Sequence, residues 1–86
     1  MSTIDEALTR RMRMYTHDDG ALGFAERQIG RTITVHRRRD GWRCGQPGRV
    51  MMVAPSQGRP CWLVEYPDGA HDVVPVADPG YHYTLH

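Results

Sequence analysis

The chain contains no lysine; all eleven of its basic residues are arginines. That bias reflects codon usage in a GC-rich genome more than mechanism. No run of about 18 apolar residues occurs, which excludes a membrane-spanning helix. The opening stretch MSTIDEALTRRMRM is charged throughout and lacks the apolar centre of a secretory signal, so the expected location is cytoplasmic. There are only two cysteines, Cys44 and Cys61, and they do not form a Cys-x-x-Cys pair. A zinc ribbon is therefore unsupported; two reduced thiols are the default state in this compartment, and a disulfide across neighbouring strands is the alternative. Also missing are a glycine-rich phosphate loop, a His-Glu-x-x-His pair and a nucleophile elbow, which speaks against an enzyme. No cofactor and no metal are expected. The five histidines, His17, His36, His71, His82 and His86, do not form a convergent ligand set. Cys44 near His36 and Asp40 is read as chance proximity in a loop, not as a thiol with its base.

The 86 residues make one domain, with room for one core and little room for a deep pocket. Net charge is only +1, but it is unevenly spread. Residues 31–60 hold seven arginines against Asp40 alone, while residues 61–86 hold four acids and no arginine. Such asymmetry marks either a nucleic-acid face or strands that neutralise one another across a sheet.

Two periodicities divide the chain near residue 28. Before it, Thr3 and Glu6 fit a capping box, and Ile4, Leu8, Met12 and Tyr15 recur at helical spacing. The expectation is a short helix over residues 3–15, ended by His17-Asp18-Asp19-Gly20 as a turn. Residues 21–28 read as either a helical turn or an arm packed by Leu22 and Phe24. After Ile29 the period is two. Strands are expected at 29–36, 48–54, 61–66, 72–76 and 81–85. Between them lie the polar loop 37–46 and turns at 55–60, 67–69 and 78–80. Trp62, Val64 and Tyr66 share one strand face, which assigns Trp62 to the core. The expected fold is mainly β: an SH3-like small antiparallel barrel of about five strands (residues 29–86) preceded by a helical arm (residues 1–28).

The stretch from Gly30 to Tyr81 resembles a family of small actinobacterial proteins known as a domain of unknown function. The resemblance rests on Gly30, Ile33 and Val35; Gly48, Val50 and Val53; Gly58, Pro60, Trp62, Val64 and Tyr66; Asp68 and Gly69; His71; and Pro75 and Asp78. The same stretch is more distantly similar to KOW and Tudor modules. The resemblance implies an SH3-like barrel and no activity, because its motif residues are mostly turns and core. The chain departs from the family at Arg31, where an acid is usual, and in its 28-residue arm.

Two surfaces are candidates for function. His36-Arg37-Arg38-Arg39-Asp40-Gly41-Trp42-Arg43, with Arg49, offers cations for phosphates and an aromatic for stacking on a base. Its competing reading is a solvated loop whose arginines pair with Glu65, Asp68 and Asp72. The helical stripe Ile4, Leu8, Met12 and Tyr15, together with Tyr81 and Tyr83, offers a contact for a protein partner or a second copy. Its competing reading is a helix that caps the barrel. The expected function is a non-catalytic module for protein–protein interaction or assembly, with nucleic-acid binding through residues 36–43 as the alternative and no role at a membrane.

Overall fold

The computed structural model describes residues 19–86. A helix, α1 (Asp19–Arg27), precedes five strands: β1 (Thr32–Arg37), β2 (Pro47–Ser56), β3 (Arg59–Glu65), β4 (His71–Pro75) and β5 (His82–Leu85). All strand pairs are antiparallel and form one sheet in the order β4-β3-β2-β1-β5. The mainly-β fold with a short helix in front is as the sequence implied. The helix expected over 3–15 lies outside the described residues. Asp19 and Gly20, expected to end a helix, instead begin one.

Alternation explains the core. Ile33 and Val35 of β1, Val50 and Val53 of β2, Trp62 and Val64 of β3 and Val74 of β4 point to the concave side and are buried. α1 closes that side with Leu22 and Ala25. Trp62 is fully buried, and its indole N–H donates to the Ala25 carbonyl at 3.0 Å. That bond satisfies the buried indole and ties β3 to a carbonyl near the end of the helix, which also accepts the Gln28 N–H. The chain leaves α1 through Gly30 at φ +89°, whose N–H donates to Val50 of β2 at 2.8 Å.

Two irregularities bend the sheet. The β2–β3 register shifts between Val50 and Met52, and the β1–β5 register shifts between Val35 and Arg37. Extra residues of this kind sharpen local twist. β2 pairs with β1 over Pro47, Gly48 and Arg49 at its start and with β3 along nearly all of its length. Gly48 sits at the tightest point of the bend. A Cβ there would lie 2.6 Å from Val64 Cγ1 and 3.1 Å from the Tyr66 ring. The β2–β3 turn is two residues long, Gln57 and Gly58, both at positive φ, the backbone that matches strand twist in a tight hairpin.

The expected barrel is not closed by backbone pairing: β4 and β5 are the sheet edges. Side chains span the seam instead. The Tyr83 hydroxyl donates to the Val76 carbonyl at 2.8 Å, and the Tyr83 ring meets Trp62 edge-on at 5.1 Å. Elsewhere across the seam, Arg38, just past β1, grips Asp72 of β4. No helix among the described residues is long and apolar enough to cross a membrane.

Candidate functional surfaces

The arginine-rich loop divides into tied and free cations. The register shift between Val35 and Arg37 reverses the alternation of β1, so Arg38 rather than Arg37 turns inward, and its side chain is only 6% exposed. Its two terminal nitrogens donate to both carboxylate oxygens of Asp72, which is equally buried. A planar fork on a carboxylate is the strongest arrangement available to this pair. The Tyr66 hydroxyl donates to Asp72 Oδ2 at 2.9 Å, so the carboxylate is held from two sides. Burial, and then that bond, push the Tyr66 hydroxyl up to about 12. The Arg38 guanidinium lies 5.1 Å from the Tyr81 ring and 5.5 Å from the Trp42 ring. Its Nε is buried near Asp40 Oδ1, at 3.2 Å, but misaligned for a hydrogen bond. The Asp72 hydrogen bond holds the guanidinium firmly protonated.

Arg43 is the second tied cation. It forks onto Asp68 at 3.0 and 2.7 Å and lies over Trp42 and Tyr66 at 5.0 and 4.8 Å. Its φ of +50° is in the left-handed region, uncommon for a residue with a Cβ. The same hydrogen bonds lower the Asp68 carboxyl below its usual range. Trp42 is 40% exposed and meets Tyr66 edge-on at 5.8 Å, so it is a packed member of this arginine–aromatic stack.

Arg37, Arg39 and Arg49 are exposed and make no ion pair among the described residues. Of the loop's expected partners, Asp68 and Asp72 take arginines, but Glu65 pairs with His71 at 3.0 Å. Tyr81 and Tyr83 are half-buried and serve the fold: Tyr81 lies 3.4 Å from Arg38 Nη2, and Tyr83 packs on Trp62. Burial raises the Tyr83 hydroxyl. Ile4, Leu8, Met12 and Tyr15 lie outside the described residues. Cys44 and Cys61 are free thiols; that of Cys61 donates to the Arg59 carbonyl at 3.7 Å, and burial raises its pKa. His36 shares a 2.6 Å hydrogen bond with Thr84 and none with Cys44. Among the described residues no group of three or more histidines, cysteines or acids is placed to hold a metal.

Sequence reasoning missed one surface. On the convex side of the sheet, Met52, Leu63 and Val73 are register partners on three adjacent strands. The row is half-exposed: Val73 is 49% exposed and the bulged Met51 beside it 42%. Ala54, Cys61 and Pro75 form the next row toward the hairpin, and Glu65 and His71 bound the other end. The signal was present in Met51-Met52 and Val73-Val74, where apolar residues occupy both parities of a strand. No family model, curated protein or solved structure matches the chain.

Proposed function

We propose that the protein is a non-catalytic assembly module that pairs with a second copy of itself through the convex face of β2, β3 and β4. The observation that carries this reading is the three-strand row Met52–Leu63–Val73, apolar and open to solvent on a sheet whose other face already holds the core. An isolated exposed apolar side chain is ordinary, but a contiguous row across three strands is the form of a contact face. Such a row is self-complementary, because a two-fold axis through Leu63 lays it on its own copy. The polar rim of Arg49, Glu65 and His71 bounds the row on one side, as in interfaces with an apolar centre. The patch is small, so the expected association is weak and concentration-dependent. Sedimentation equilibrium tests it. The wild-type chain is expected to show a reversible dimer that Val73→Asp abolishes while the variant keeps the wild-type circular dichroism spectrum. A monomer at all concentrations would refute the reading.

A further inference from the structure

We infer that Arg37, Arg39 and His82 form a phosphate-binding site for single-stranded nucleic acid, separate from the convex apolar face. The bulge between Val35 and Arg37 at the end of β1 creates the site. Arg37, Arg38 and Arg39 are chemically identical, but the middle one turns inward to Asp72 and leaves its neighbours outside. Arg37 is the register partner of His82 on β5. Together with the backbone turn at Pro79 and Gly80, these residues line an open concavity of about 410 Å³ that contains no carboxylate.

The two outer guanidiniums therefore differ from every other cation of the loop. Arg38 and Arg43 are each neutralised by a forked aspartate. Arg37 and Arg39 face solvent with no ion pair among the described residues, and the imidazole of His82 adds a further donor. Two exposed forks and a ring nitrogen on one concave wall suit the oxygens of phosphates. Asp40 and Asp78 line the adjoining concavity with Arg39, Gly80 and Tyr81, so the basic wall has an acidic border. That border opposes a broad polyanion surface and favours one strand following a narrow track.

Fluorescence anisotropy with labelled oligo-dT and oligo-U, titrated with the full chain at several salt concentrations, tests the assignment. Binding is expected to weaken steeply with salt. The double variant Arg37→Gln/Arg39→Gln is expected to bind at least tenfold more weakly, with a salt slope shallower by about 1.4, the change for two lost contacts to a single strand. Both side chains are exposed, so the melting temperature should not move. Val73→Asp, which disrupts the proposed dimer, should leave a monomer that still binds the oligonucleotide, so the two readings fail independently. Absence of wild-type binding at low salt, or an unchanged double variant, would overturn the site. Equal affinity for a duplex or for heparin would overturn its assignment to single strands.

Discussion

The two faces of β3 differ less in composition than in fate. Inward lie Trp62 and Val64, both fully buried; outward lie Leu63 and Glu65, both partly exposed. Leu63 would serve a core as well as Val64 does. What separates them is cover. α1, with Tyr83 and Leu85 of β5, packs on the concave side, while the convex row of Met52, Leu63 and Val73 has nothing comparable among the described residues. Apolar residues on the covered face hold the fold, and apolar residues on the open face are available for contact.

Substitutions on the two faces should separate these roles. Trp62→Ala removes the largest buried side chain and its bond to α1, and should cost about 3–5 kcal/mol in urea unfolding. Leu63→Ala on the opposite face should cost well under half of that, in line with its partial exposure. A cost as large as that of Trp62→Ala would mean that the convex row is core.

The same contrast separates the arginines. Arg38→Ala leaves the Asp72 carboxylate buried without its cation and should destabilise by about 3–5 kcal/mol. Adding Asp72→Asn to that variant should restore part of the loss, because it removes the orphaned charge. Arg43→Ala breaks an exposed pair and should have a much smaller effect in the same assay. Tyr66 gives a pH signature. Its hydroxyl pKa lies above the ordinary tyrosine value, so the folded state holds that proton more tightly than the unfolded chain. The stability it contributes is present below pH 10 and should be lost as pH rises from there toward about 12, and Tyr66→Phe should remove that step.

Much of the fold could be read directly from residue order. Period-two stretches and the turns between them place all five strands to within a few residues, and the shared parity of Trp62, Val64 and Tyr66 identifies the core face. α1 was obscured because Asp19-Gly20 has the composition of a turn, and only packing of Leu22 and Ala25 on the sheet makes a helix there worthwhile. The convex face was hidden by the bulge at Met51, which shifts parity midway along β2. The division among Arg37, Arg38 and Arg39 was present in one clue. Asp72 shares parity with Val74 and Val76, and an acid on a core face requires a buried cation. Three consecutive arginines look alike in sequence, and only the strand geometry around them makes one structural and two free.

The most direct test of self-pairing through the convex face is a dilution series followed by amide ¹H–¹⁵N NMR spectra. Concentration-dependent shifts are expected to cluster at Met51, Met52, Leu63 and Val73 and to vanish in Val73→Asp. Shifts confined to β1 and β5, or spectra that do not change with concentration, would contradict it.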